Sequence, residues 1–430
     1  MDALPHRRRP AARLAYCAGA ACLCAAFATA CGRTPRGSVP DGGHHSTQRA
    51  AADASRDAVA GDSATLGDAG GPADASVDAA DVPRPRRVTI TATGDIVLHP
   101  AVVRVAQAHR GEGRLAFVLA AVAPLISSRV IAFANLETPL TDRFRPPDRG
   151  RTGILGAPGE FARDLARIGF DVLQVANNHA YDQTGDGLYE TLEALRAAGI
   201  EAAGAGPTDD IAYAAHVIER DGIRVAFLGF TMRTNDGPGR NHHDERVARA
   251  EDAARALAAI TAAREGNDLV AVGIHWSRDR VPNVDDGDRA LARRMVDAGA
   301  DLVLGTGTGL LQRVDRMDSP RGHALVAFSL GTLVSAHGNG YRVGMTRAAI
   351  AANPILNDPA VRDGVLLHAT FDLSTPDTIR ISSAIANAVW TTHADEEFRV
   401  IPLRGTDERI RSERLRAVAQ ALGPAVRVRP

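Results

Sequence analysis

Residues 170–195 read FDVLQVANNHAYDQTGDGLYETLEAL: a short apolar run, then two amides, a histidine and an aspartate, then leucines at helical spacing. Phe170, Val172, Leu173 and Val175 predict a buried strand, and Leu188, Leu192 and Leu195 before Gly199 predict a helix capped by glycine. Asn177, Asn178, His179 and Asp182 therefore stand at the carboxyl end of a strand, the edge at which open α/β sheets bind ligands. The pattern recurs. Residues 88–93 run into Gly94-Asp95, residues 130–134 into Asn135-Leu136-Glu137, and residues 268–276 end on His275 and Trp276. Residues 222–231, 301–304 and 324–330 are further apolar runs, and helical patterns occupy residues 158–168, 246–263 and 288–298. This alternation predicts an α/β domain with a largely parallel core. Residues 364–373 and 378–385 predict two more strands, with no helix between them. Ile410, Leu415, Val418 and Leu422 predict a terminal helix that packs on the domain, since acidic residues interrupt the arginines of its other face.

The first 87 residues are of another kind. Arg7, Arg8, Arg9 and Arg13 precede an alanine-rich run over residues 14–30, too short and too weakly apolar for a membrane span. It ends in Ala28-Thr29-Ala30-Cys31, the pattern of a lipoprotein signal peptide whose lipobox cysteine, Cys31, is lipidated. An ordinary signal peptide is the alternative. Residues 32–87 are Ala, Asp, Gly, Ser and Pro with almost no large apolar side chain, which predicts a disordered tether with a span of about 40 Å. The expected organisation is signal peptide 1–31, tether 32–87, domain 88–385 and C-terminal extension 386–430, in an exported, membrane-anchored lipoprotein of the bacterial cell envelope.

All 4 cysteines (Cys17, Cys22, Cys24 and Cys31) lie in the leader, so any metal in the domain must be held by nitrogen and oxygen. The 50 basic residues are all arginine, but the formal net charge is only −1, which leaves no electrostatic footprint for nucleic acid. An aromatic content of 4% also argues against a stacking platform for bases.

Asp95, Glu137, Asn178, His179 and His275 all fall at predicted strand ends, so one face of the sheet can gather them. Each alone reads as a turn cap, a loop start or a partly buried imidazole. Together they compose a hard-donor pocket suited to Mn²⁺, Zn²⁺, Fe or Mg²⁺, and two such ions about 3.5–4 Å apart activate water and clamp an oxyanion. Asp182 is placed to orient the His179 ring.

Over residues 88–331 the chain resembles the CapA-type family of capsule-biosynthesis or poly-γ-glutamate-synthesis proteins, which are related to calcineurin-like metallophosphoesterases. The resemblance rests on an ordered set of motifs: Gly94-Asp95-Ile96-Val97-Leu98, Asn135-Leu136-Glu137-Thr138-Pro139-Leu140, Ala176-Asn177-Asn178-His179-Ala180-Tyr181-Asp182 with Gly185 and Gly187-Leu188, and Gly204-Ala205-Gly206. Val225-Ala226-Phe227-Leu228-Gly229-Phe230, Gly273-Ile274-His275-Trp276 and Phe328-Ser329-Leu330-Gly331 complete it. It implies an α/β/β/α sandwich, metal ligation by Asp95, Glu137, Asn178 and His275, and a protonating role for His179. It also implies a part in the synthesis, attachment or turnover of an anionic surface polymer, with that polymer or its precursor and envelope biosynthesis proteins as partners.

The departures from that family pattern are as informative. Where a His-Pro-His run is usual, the chain reads Thr306-Gly307-Thr308-Gly309, so two imidazoles are missing. Ser277-Arg278-Asp279 follows Trp276 where a glycine and a glutamate are usual, and Asp279 is the candidate replacement acid. Thr332 stands at a usual asparagine position; His99, His323 and His337 could compensate for the missing imidazoles, but each reads more readily as a surface or capped histidine than as a relocated ligand. The expectation is one ion rather than two, held on the Glu137, Asn178 and His275 side, with phosphoesterase activity reduced or lost. The alternative is a metal-free, non-catalytic pocket in which the 306–309 turn offers N–H groups to an anion. Asn135, Asn177, Arg278, Arg280, Thr306 and Gly307 are the candidate substrate or anion contacts.

Overall fold

The computed structural model describes residues 85–430 apart from 112, 127–129, 145–152, 238–244 and 395–396. The expected signal peptide, Cys31 and nearly all of the expected tether lie outside the described residues. The chain enters as β1 (Arg87–Ile96) and continues through α1 (Pro100–Ala108), α2 (Arg114–Leu119), β2 (Ile131–Leu136), α3 (Phe161–Ile168), β3 (Val172–Gln174), α4 (Thr184–Ala198) and β4 (Glu201–Ala203). There follow β5 (Ala205–Gly206), α5 (Asp209–Ala212), β6 (His216–Arg220), β7 (Ile223–Thr231), β8 (Arg246–Val247), α6 (Ala253–Arg264), β9 (Leu269–His275), α7 (Asp286–Asp297) and β10 (Leu302–Thr306). The last part comprises β11 (Val314–Ser319), β12 (Gly322–Ala327), β13 (Thr332–Val334), α8 (Arg347–Ala352), α9 (Pro354–Asn357), β14 (Asp363–Asp372), β15 (Arg380–Ala394), β16 (Glu397–Pro402), α10 (Glu408–Leu422) and β17 (Arg427–Arg429).

Two sheets form. One has the order β16-β15-β14-β1-β2-β3-β4, with β13 also on β1 and β17 on β15; the other has the order β11-β12-β10-β9-β7-β6. The centres are parallel, β1 to β2 to β3 to β4 and β7 to β9 to β10 to β12; antiparallel strands close both edges of the second sheet and, through β14 to β16, one edge of the first. Ile90 and Phe133 of the first sheet share one apolar cluster with Val225, Phe227 and Leu304 of the second, so the sheets pack face to face. The outer face of the first carries α1 to α4 through Val102, Leu115, Leu165 and Leu195; that of the second carries α6 and α7 through Ile260, Leu291 and Met295. This is the α/β/β/α sandwich. Because both faces of each sheet are covered, β2 and β9 are buried along their whole length, and their sequences are apolar apart from Asn135 and His275 near their carboxyl ends.

Residues 246–263 do not form a single helix. Arg246 and Val247 pair with β5 as a short strand, and α6 starts only at Ala253, where the Asp252 side chain accepts the N–H of Arg255 and caps it. A domain boundary at 385 is also corrected, because β15 passes through that residue without a break. Beyond it, Val418 and Leu422 of α10 lie in the cluster between the sheets, and Arg414 forms a buried ion pair with Asp363 of β14. The C-terminal residues are part of the same fold. Among the described residues no helix is long and apolar enough to cross a membrane.

Candidate metal centre

Parallel pairing brings the carboxyl ends of the central strands to one edge, and the candidate ligands ride on them. Asp95, near the end of β1, is in register with Asn135 of β2 and Thr332 of β13. Its neighbour Gly94 has to be glycine: a Cβ there would stand 1.9 Å from the Gly331 carbonyl oxygen. Glu137 follows β2, Asn178 and His179 follow β3, and His275 ends β9.

One donor atom from each of Asp95, Glu137 and His275 can be chosen so that all three lie within 4.8 Å of one another, and all three residues are buried. His275 Nδ1 lies 2.9 Å from Ser277 Oγ, which directs Nε2 inward. Ser277 holds a left-handed backbone with φ 55°, an unfavourable conformation that keeps the hydroxyl under the ring. His275 Nε2 is buried without a hydrogen-bond partner, and so is Asn178 Oδ1. Nε2 stands 3.2 Å from Glu137 Oε1, in ion-pair range but without hydrogen-bond geometry. Two donors held by one cation at about 2.0–2.1 Å each, with roughly 90–110° between them, are about 3.0–3.4 Å apart. Asp95, Glu137 and His275 therefore fit a divalent cation, and the orphaned His275 Nε2 and Asn178 Oδ1 are lone pairs of the type such an ion takes up.

The electrostatics point the same way. Burial, and then Glu137, push the Asp95 carboxyl up to about 7. Burial also works against ionisation of Glu137, but His275 and then His179 outweigh it, and its pKa falls below the ordinary value. Two carboxylates this close do not share a dry site comfortably without a cation.

His179 Nδ1 is 2.7 Å from Asp182 Oδ2, which also accepts the N–H of Leu155 at 2.7 Å. Burial lowers the affinity of the His179 ring for a proton, but Asp182 and Glu137 more than reverse this and raise its pKa. Its other nitrogen is 3.9 Å from Glu137. The ring is thus held by Asp182 with Nε2 on the metal side, the arrangement of a proton donor.

Several expected substrate contacts do other work. Asn135 and Asn177 are wholly buried behind the ligands: Asn135 donates to Asp95 at 2.8 Å, and Asn177 donates to the Leu136 carbonyl and accepts the His179 N–H. They position the site and do not face substrate. Arg278 turns away to Asp285 and Asp288 at the start of α7. Thr306 is buried in β10, its hydroxyl without a partner. The Gly307 N–H is directed at the protein's own Asp95, 3.1 Å away, so it is not offered to an external anion. A Cβ on Gly307 would stand 2.5 Å from the His275 ring, so His275 covers the place where a side chain at 307 would begin.

Two histidines read as peripheral are at the site. A cavity of about 160 Å³ opens over the ligands, and His99, His179, Asp279, Arg280 and His337 line it beside Asp95 and Glu137. His99 and His337 meet edge to face, their ring centres 4.6 Å apart. Burial, reinforced by His337, pushes His99 down to about 3, and burial lowers His337 as well. No local sequence pattern marks them: His99 opens α1 and His337 follows β13, and only the β1–β13 pairing brings the two segments together. His323 does stay on the surface, beside Asp318 on the β11–β12 hairpin. A larger cavity of about 840 Å³ lies between α1 and β16, away from the candidate metal ligands.

The family model described as bacterial capsule synthesis protein PGA_cap matches residues 89–337, more than half of the chain. The chain is 27% identical over 269 residues to the capsule biosynthesis protein CapA of Bacillus anthracis, covering 59% of this chain and 61% of that one. It is 26% identical over 246 residues to the PGA biosynthesis protein CapA of Bacillus subtilis, covering 57% and 62%. The match thus spans less than two thirds of the length of these curated relatives. Among solved structures, a phosphatase of Mycoplasma pneumoniae is similar in trace, with a TM-score of 0.41 and 12% identity over 71% of this chain and 95% of that one. With more than half of its length, including every candidate ligand, inside the family model, the chain belongs to the bacterial capsule synthesis family PGA_cap.

Proposed function

We propose that the protein acts in the synthesis, attachment or turnover of an anionic surface polymer of the capsular or poly-γ-glutamate kind, through a site that holds one divalent cation. Its curated relatives are described as capsule and PGA biosynthesis proteins. The observation that carries the reading is the cluster of three buried donors, Asp95, Glu137 and His275, in which His275 Nε2 has no hydrogen-bond partner; Asn178, whose buried Oδ1 also has none, is the candidate fourth ligand. The reaction class is hydrolysis of a phosphoester or amide bond. A cation held by Asp95, Glu137 and His275 would supply Lewis-acid polarisation of a substrate oxygen and a more acidic water. Asp95 and Glu137 bind that charge, Asn135 and Asn177 hold the ligands in register, and His179, oriented by Asp182, protonates the leaving group.

Gly307 and Gly309, where a second ion's imidazoles are usual, support a reduced phosphoesterase rather than an efficient one. Slow turnover of a generic phosphodiester in added Mn²⁺, abolished by His179→Ala, supports the enzyme. Metal-loaded protein without any turnover favours the second reading, a binding protein for the polymer. Altered polymer chain length in a deletion strain is expected under both readings, and an unaltered surface polymer contradicts both. Export and anchoring through Cys31 belong to the same proposal: a Cys31→Ser variant leaves the membrane fraction.

A further inference from the structure

His99 carries a chemical instruction in its hydrogen bonding. Its Nδ1 accepts the backbone N–H of Ala336 at 3.2 Å. A ring that accepts at Nδ1 is neutral and carries its hydrogen on Nε2, because a protonated ring would set one N–H against another. Nε2 is then a donor and has no lone pair for a cation. Among the described residues nothing accepts from it, and the ring lines the cavity over Asp95 and Glu137. His337 packs edge to face on the His99 ring, while its own N–H is fixed on Ser335 Oγ at 3.2 Å. Arg280 lines the same cavity, held at φ 56° with its backbone N–H on the Thr308 carbonyl. Its guanidinium makes no ion pair among the described residues. The cavity thus joins the candidate ligands Asp95 and Glu137 to a neutral donor on His99 and the positive charge of Arg280, with His179 and the carboxylate of Asp279 also in its lining.

We propose that His99, with Arg280, recognises the phosphoryl oxygens of a phosphate-bearing substrate, with His337 as a positioning residue that holds the His99 ring against the cavity. This rests on the single-cation reading above and names the substrate class for that same site. At about 160 Å³ the cavity is smaller than the roughly 300–1,000 Å³ that encloses a whole small-molecule ligand, so it takes a phosphoryl head group and leaves the remainder outside. The two missing imidazoles are thereby answered by donors to the substrate and not by relocated metal ligands.

The test titrates inorganic phosphate, and separately acetate, into the full-length protein with and without Mn²⁺, for the wild type and for His99→Ala, His99→Asn and Arg280→Gln. Mn²⁺ binding is measured in the same samples. His99→Ala and Arg280→Gln are expected to weaken phosphate by about 10-fold or more, as for a lost hydrogen bond to a charged group. His99→Asn, which keeps a side-chain N–H, restores part of the affinity, and Mn²⁺ stoichiometry does not change in any variant. Loss of Mn²⁺ from His99→Ala would make His99 a metal ligand and overturn the inference. So would phosphate affinity indifferent to His99, absence of phosphate binding with and without Mn²⁺, or acetate binding with the same dependence in place of phosphate. A wild type that takes no Mn²⁺ refutes the cation reading separately; His99-dependent phosphate binding without the metal then upholds the phosphoryl wall alone.

Discussion

Ser277 shows how one residue sets the chemistry of another. Its hydroxyl on His275 Nδ1 fixes which ring nitrogen faces Glu137, and it does so from a backbone conformation that few non-glycine residues adopt. Ser277→Ala is expected to weaken Mn²⁺ binding by about 10-fold, the usual penalty for losing the partner that orients a ligating histidine, with the melting temperature nearly unchanged. Calorimetric titration checks it; unchanged affinity would show that His275 needs no such support. The candidate ligands Asp95, Glu137, Asn178 and His275 were legible in the sequence because each follows an apolar run and so falls at a strand end, and the family resemblance set them apart from His179. Ser277 was visible only as a departure from a family pattern. His99 and His337 were not legible as site residues, since they lie 238 positions apart and meet through strand pairing alone. Arg278 misled for the opposite reason: its charge was visible, but its partners Asp285 and Asp288 lie on the next helix.

Among the elements, those with continuous apolar runs and long helical periods were readable, and those whose register depends on partners were not. The paired strands β5 and β8, two residues each, carry no periodicity that a sequence reading can detect. The C-terminal part illustrates the cost of missing such pairing. β15 continues past 385 to pair with β16 and β17, and α10 closes over it with Arg414 forked onto Asp363. Both side chains are buried, so Asp363→Ala leaves an uncompensated guanidinium inside the fold. The expected loss of stability is roughly 3–5 kcal/mol, with partial recovery in Asp363→Leu combined with Arg414→Met. Urea unfolding measures both. A loss below about 1 kcal/mol in the single variant would show that α10 is a loosely attached extension.

Over the whole molecule, buried neutral histidines make stability depend on pH in one direction. Burial, and then Arg362, push His393 down to about 3 from its ordinary 6.5. Between those values the folded protein binds fewer protons than the unfolded chain, so stability is complete above about pH 6.5 and falls on acidification through the window. Arg342 adds to the repulsion, the Ser335 carbonyl 3.2 Å from Nε2 opposes it, and Glu397 and Phe398 flank the ring's side of the larger cavity. Between pH 7 and 4 His393 is expected to contribute roughly 2–3 kcal/mol to the loss, and His393→Gln should flatten that limb. Denaturant midpoints at a series of pH values read the difference; parallel curves for the two proteins would contradict it.

At the same scale the sandwich has one chemical consequence: two mixed sheets with parallel centres, packed face to face, bring three buried donors together and leave one of them, His275 Nε2, without a hydrogen-bond partner. Metal content of the purified full-length protein after equilibration with Mn²⁺, determined by elemental analysis for the wild type, His275→Ala and Glu137→Gln, tests this most directly. The account predicts one equivalent in the wild type and none retained by either variant. Metal-free wild-type protein, or one equivalent kept by both variants, would contradict it.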